Sequence, residues 1–301
     1  MGVSAPDERA WDAGPDSLVT VSEMKTSIAT ADAPDAPEPT PHASVIPATS
    51  PRRIRAEVLI VLGLSLGQSA VYAILQLIAR YMATAPIGHQ SATLNQSQSK
   101  INYLDLTYQV VGIVFALVPV ALALYLLSNH GQSWKTRLGL NGNGRRWGKD
   151  VALGMGLAAM IGIPGLGVYA VGRAIGQTVR IDTSGLPALW WSATILLLSA
   201  AVAGVLEEVI VVGYLITRLQ QLRWSVPAVV IASALLRGSY HLYQGWPMAV
   251  GNVAMGTVFS IYYLRTGRLG PLIFAHWLLD AVSFIGPDVV PASWITALNG
   301  G

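Results

Sequence analysis

The sequence predicts an all-α, polytopic transmembrane helical bundle of about seven spans (six to eight), with a disordered N-terminal tail. Three observations lead there. Charged residues make up 12% of the 301-residue chain against 52% hydrophobic ones, and the mean hydropathy is +0.50; soluble domains carry about 25% charged residues. Apolar runs long enough for a helix to cross a hydrocarbon core of about 30 Å recur from Glu57 to Ile285. Basic residues collect in alternate loops, as membrane orientation requires. The chain has no cysteine, which excludes a disulfide framework, a thiolate nucleophile and Cys-based zinc sites.

Residues 1–50 are rich in Ala, Pro, Ser, Thr and Asp and hold eight acids against two bases. That is a net of −6, so the total of +3 leaves +9 for residues 51–301. Without a periodic apolar pattern such a segment cannot offset its chain entropy, and it is expected to be disordered. It lacks the basic start and apolar core of a signal peptide. Arg52-Arg53 precedes an apolar run too long for a twin-arginine signal and without a small-residue cleavage site, which reads as a retained first helix. The membrane domain is expected over 51–290, with a short tail at 291–301.

The expected spans are about 57–79, 106–127, 151–171, 187–215, 226–242, 248–264 and 269–285. The third contains Ile163-Pro164-Gly165, expected to kink it, and glycines suited to close helix packing. Trp190-Trp191, Trp246, Trp277 and Trp294 near span ends suit interfacial belts. With the N-terminus inside, the inner loops hold twelve Lys and Arg and the outer ones four: Arg80, Lys100, Arg173 and Arg180. This bias predicts an N-in cell-membrane protein whose partner is lipid; basic residues confined to loops do not suggest nucleic-acid binding.

The ionisable residues inside the later apolar segments are Glu207, Glu208, Arg237, His241, His276 and Asp280. A charge at the bilayer centre costs roughly 2.5–3.5 kcal/mol, so such groups line cavities or pair with one another. His276 and Asp280 are four apart and share a helix face, as do Arg237 and His241. Glu207 and Glu208 are adjacent, about 100° apart around a helix, so one can act while the other orients the site or pairs with a cation. These parts suit amide hydrolysis. A carboxylate in an apolar pocket can act as general base towards water, and imidazole can hold that water or stabilise an oxyanion. A set such as His241, His276, Asp280 and Glu207 could instead hold a divalent metal such as zinc. G-x-S-x-G and H-E-x-x-H are absent, so acyl-enzyme and zincin chemistries lack support.

At these residues the chain resembles the CPBP family, the CAAX proteases and bacteriocin-processing enzymes that include type II CAAX prenyl endopeptidases. That family's motifs, Glu-Glu-x-x-x-Arg, Phe-x-x-x-His and His-x-x-x-Asn/Asp, are matched in order by Glu207-Glu208, by the stretch Arg237 to His241, and by His276 to Asp280. The motif region covers about 190–285. The resemblance implies a multi-pass membrane metalloprotease-type hydrolase acting on peptide or protein substrates, a CAAX-type terminus or a leader peptide among them. Glu207 would activate water with help from His241; His276 and Asp280 would stabilise the oxyanion or complete a metal site, and Glu208 would support them.

Two positions depart from the pattern: the arginine of the first motif is Val212, and the phenylalanine of the second is Arg237. One charge lost and one gained within the same constellation suggests that Arg237 supplies the missing cation to Glu208 from the adjacent helix. The altered motifs also admit a membrane scaffold or immunity-type protein. Glutamates and histidines in spans admit a proton-coupled transporter, although the two halves show no inverted repeat.

Overall fold

The computed structural model describes residues 50–128, 132–291, 293, 294 and 296. The expected disordered tail therefore lies, apart from residue 50, outside the described residues, as does most of 291–301. The described part is mostly helical. Helix α1 (Pro51–Gly63) starts at Ser50, whose Oγ accepts from the Arg53 N–H at 3.3 Å, with Pro51 at the first helical position. It meets α2 (Leu66–Met82) at a bend of 53°. At the bend the Ser65 hydroxyl donates back to the Val61 carbonyl at 2.6 Å, a local bond that competes with the helical ladder.

A short strand β1 (Ser91–Thr93) follows, then α3 (Asn102–Ala116) and α4 (Val118–Leu127), which together make one 26-residue run. One turn of helix, α5 (Trp134–Arg137), leads to α6 (Gly144–Ala174), which is capped by Asn143 and runs unbroken through Pro164. Strand β2 (Arg180–Asp182) pairs in parallel with β1, Ser91 opposite Arg180 and Thr93 opposite Asp182. This two-stranded sheet is an addition to the all-α expectation. The chain continues through α7 (Ser192–Glu207), a π-helical turn at Glu208–Tyr214, and α8 (Leu215–Gln221). Then come α9 (Val226–Tyr240), α10 (Trp246–Thr266) and α11 (Gly270–Val289).

The seven expected apolar segments fall largely on helix, the first broken by the bend at 64–65 and the fourth beginning five residues before α7. By length and hydropathy, three helical runs among the described residues can cross a bilayer (Asn102–Leu127, Gly144–Ala174 and Ser192–Gln221), or four if the bent α1–α2 pair is one span. Burial separates them. Within their most apolar windows the first two are 17% buried and the third 56%, so Ser192–Gln221 is the central rod and the others surround it. Large apolar side chains such as Ile74, Val114, Phe115, Ile163 and Leu166 point outwards on the outer helices, an apolar belt far larger than a soluble monomer exposes. This is a membrane protein's surface.

The rods have two unlike ends. At one, Glu57 of α1 pairs with Arg218 of α8, Arg218 reaches the Leu126 carbonyl of α4, Arg268 pairs with Asp150 of α6, and the Leu269 N–H bonds the Leu138 carbonyl. This end carries the basic loops. At the other, Arg173 of α6 donates to the Gly88 and Thr178 carbonyls, the Val179 N–H bonds the Gln244 carbonyl, and β1 lies beside β2. That end is polar and sparsely charged.

Candidate active site

The π turn is where the site begins. A π-helix widens the ladder to i→i+5 and leaves carbonyls needing partners, and such turns gather at functional sites. Here Ser233 of α9 donates to the Val211 carbonyl at 3.1 Å and is itself bonded by Ser260 of α10 at 3.0 Å, while Thr217 donates to the Gly213 carbonyl at 2.6 Å. These bonds fix the central rod against α9 and α10 just beyond the two glutamates. Gly204 brings α11 close: a Cβ there would lie 3.1 Å from the Trp277 nitrogen and 3.5 Å from the His276 Cβ, so a side chain would press α11 outwards by a few tenths of an ångström.

Five of the six residues singled out from the sequence then meet in one network. Arg237, wholly buried, donates from Nη2 to Glu208 Oε1 at 2.6 Å and from Nη1 to Glu207 Oε2 at 3.3 Å. Its guanidinium lies over the Phe259 ring, 5.5 Å from the centroid. His276 sets Nδ1 2.7 Å from Glu208 Oε1, which with an ionised carboxylate fixes Nδ1 as the donor and turns Nε2 into the site. Nε2 stands 3.7 Å from Glu207 Oε2 and 3.6 Å from Asp280 Oδ2. Both separations exceed a direct hydrogen bond and suit a bridging water.

The sixth residue, His241, sits at the end of α9 with Nδ1 3.0 Å from the Arg237 carbonyl. Its ring packs on Tyr240 with centroids 4.8 Å apart.

Exposure sorts the carboxylates. The Glu208 side chain is 0% accessible, Glu207 13% and Asp280 26%. Among the described residues every polar contact of Glu207 falls on Oε2, which leaves its Oε1 without a hydrogen-bond partner. Glu208 meets Arg237 and His276 through Oε1, while its Oε2 is buried without a hydrogen-bond partner among the described residues. The cation inferred from Arg237 and Val212 is thus in place: Val212 is buried within the π turn, and the charge arrives from α9 instead.

Sequence reasoning passed over Tyr240, whose hydroxyl donates to Glu207 Oε2 at 2.7 Å. The signal was present, since Tyr240 lies three residues after Arg237 and so on the same helix face. Tyr240 and Tyr243 also floor a cleft of about 790 Å³ at the polar end of the bundle, walled by α2 on one side and residues 91–94 on the other. Tyr240 therefore joins that cleft to Glu207.

The residues do not fit a metal ion as they stand. Among the described residues no group of three or more His, Asp and Glu is arranged to hold one. The donor chemistry explains this. The Nδ1 atoms of His276 and His241 are taken by Glu208 and by the Arg237 carbonyl, which leaves both Nε2 atoms open, but a divalent ion at Glu207 would stand beside the fixed charge of Arg237.

No curated protein and no solved structure matches the chain. A family model does: residues 189–282, the stretch that carries all six of these residues, match that of Type II CAAX prenyl endopeptidase Rce1-like, so the family resemblance carried by the three motifs holds over this stretch.

Proposed function

We propose that the protein is an intramembrane endopeptidase in which Glu207 activates water against a peptide bond. One observation carries this reading: Glu207 has one oxygen tied by Tyr240 and Arg237 and the other, Oε1, without a hydrogen-bond partner among the described residues, while Tyr240 also lines the polar cleft. In the reaction Glu207 takes a proton from water, the resulting hydroxide adds to the scissile carbonyl carbon, and the proton passes to the leaving amine nitrogen. His276, with Nδ1 donating to Glu208, donates from Nε2 towards the developing oxyanion as the imidazolium, the form that the surrounding carboxylates Glu207, Glu208 and Asp280 favour. Arg237 and Glu208 position these groups, and His241 borders the water's approach. The match to a protease family supports the reaction class.

The remaining apolar helices, α9 to α11, complete a seven-span bundle in this reading; α10 and α11 have 21 and 20 residues, about 30 Å of helix. The positive-inside rule puts the basic end in the cytoplasm, so the cleft opens on the opposite face. That sidedness favours substrates whose cleaved segment is exposed there.

The test is cleavage of a membrane-peptide library by purified protein, wild type against Glu207→Gln, each with and without chelator. The expected result is cleavage that chelator spares and that Glu207→Gln lowers by roughly 10²–10⁴-fold. Loss on chelation would require a metal in the site after all. A folded wild type that cleaves nothing would favour the scaffold reading, in which Arg237 locks both glutamates.

A further inference from the structure

We propose that the cleft binds its substrate as an extended peptide added to the free edge of β1. The proposal rests on the peptidase reading of Glu207 and names how the chain to be cut is held.

The cleft touches Ser91, Ala92, Thr93 and Leu94 in succession. Side chains alternate faces along a strand, so a cavity that meets four consecutive residues borders the strand's edge. Hydrogen bonding says which edge. The Arg180 N–H bonds the Gln90 carbonyl and the Leu94 N–H bonds the Asp182 carbonyl, with Ser91 opposite Arg180 and Thr93 opposite Asp182. In a parallel ladder of that register Ala92 presents its N–H and carbonyl to β2, and Ser91 and Thr93 present theirs to the other side.

That outer edge is closed at one end and open at the other. Arg80 donates from Nη1 and Nη2 to the Ser91 carbonyl, both at 3.3 Å, and is held there by Gln90 Oε1 at 3.1 Å. The N–H and carbonyl of Thr93 have no such cover among the described residues. An unpaired strand edge is a template for another strand, and peptide-binding proteins use it by adding an extended chain.

The rest of the cleft suits the same occupant. Gln68 and Gln76 of α2 face β1 across it, so its walls offer amides, and Arg80 is its one charged lining residue. At its floor lies Tyr240, bonded to Glu207. A chain paired at Thr93 therefore runs in the cavity that leads to the proposed water-activating carboxylate. Extended backbone also exposes each peptide bond to attack, as a helix does not, because helical carbonyls and N–H groups are already bonded to one another.

The edge can be removed without the sheet. Thr93→Pro deletes an N–H that points away from β2, a placement proline tolerates on edge strands, and proline favours the extended conformation Ala92 already has. Binding is read apart from cleavage by using Glu207→Gln protein and fluorescence anisotropy of a randomised pool of short dye-labelled peptides. Thr93→Pro is expected to weaken binding about tenfold, as one backbone hydrogen bond and a stranded carbonyl imply; Thr93→Ala, which keeps the N–H, is expected to cost less than about twofold.

Equal losses in the two variants, undiminished binding by Thr93→Pro, or no binding of the pool by Glu207→Gln protein overturns the proposal. If Thr93→Pro fails to fold, the same pool N-methylated on alternate residues decides: weaker binding to Glu207→Gln protein supports the paired edge, and equal binding overturns it. Edge-dependent binding by a wild type that cuts nothing supports the edge and overturns the peptidase reading, so the two fail separately.

Discussion

Two arginine–carboxylate clusters tie helices of this bundle together, one with an exposed arginine and one interior, and they differ in which charge is in excess. At the basic end Glu57 takes Arg53 on one oxygen and Arg218 on the other, both at 2.9 Å, while Arg218 adds the Leu126 carbonyl and Gln221. Two guanidiniums serve one carboxylate, and every anionic oxygen is taken. In the centre one guanidinium serves two carboxylates, Glu207 and Glu208, and among the described residues two oxygens are left over: Glu208 Oε2, which is buried, and Oε1 of the more accessible Glu207. The same residue types make a staple when cations outnumber anions. With anions in excess they leave a base.

The comparison is broken most sharply at Arg237. Arg237→Phe strands two carboxylates in an apolar interior and is expected to cost roughly 3–5 kcal/mol, read as denaturant unfolding in detergent, and to abolish cleavage. Adding Val212→Arg returns a cation from Glu208's own helix and should recover part of the stability. An Arg237→Phe protein as stable and active as wild type would end the idea that the cation moved between helices.

Arg218→Leu tests the staple. Glu57 keeps Arg53, so a smaller loss is expected, about 1.5–3 kcal/mol for bonds to a charged group, with cleavage per folded molecule unchanged. A fall in turnover at full folding would mean the two clusters are coupled. Tyr240→Phe is the mildest change. It removes one hydrogen bond to Glu207 and is expected to lower kcat about tenfold with little change in unfolding midpoint; no change in kcat would remove Tyr240 from the positioning of Glu207.

Much of this was legible in the sequence for one physical reason: charges are costly in lipid, so Glu207, Glu208, Arg237, His276 and Asp280 had to find one another. The expected apolar segments are largely helical because apolar runs of that length have no better way to satisfy their backbone. The illegible parts depend on tertiary partners. The π turn needs Ser233 and Ser260 from other helices, and nothing in Glu-Val-Ile-Val-Val-Gly-Tyr announces it. The β1–β2 pairing joins Ser-Ala-Thr to Arg-Ile-Asp across 89 positions, with too few residues for any alternation to show. The bend between α1 and α2 had a trace, Ser65 after Gly63, and the match to residues 189–282 leaves it, like the earlier spans, outside the family's reach.

The π turn also sets the phase of the molecule. A π turn carries an extra residue relative to an α-helix, so deleting one, Val211 for example, would let α7 run straight into α8. Every side chain from Leu215 onwards would then swing by about 100° around the axis and shift by about 1.5 Å along it. Glu207 and Glu208, before the deletion, would stay where they are, while Arg218 would turn away from Glu57 and Leu126. The inserted residue acts as a fixed offset between two gears: it lets one continuous rod present its glutamates to α9 and α11 and its arginine to α1 and α4 at the basic end, two facings that a uniform helix of this sequence could not hold at once.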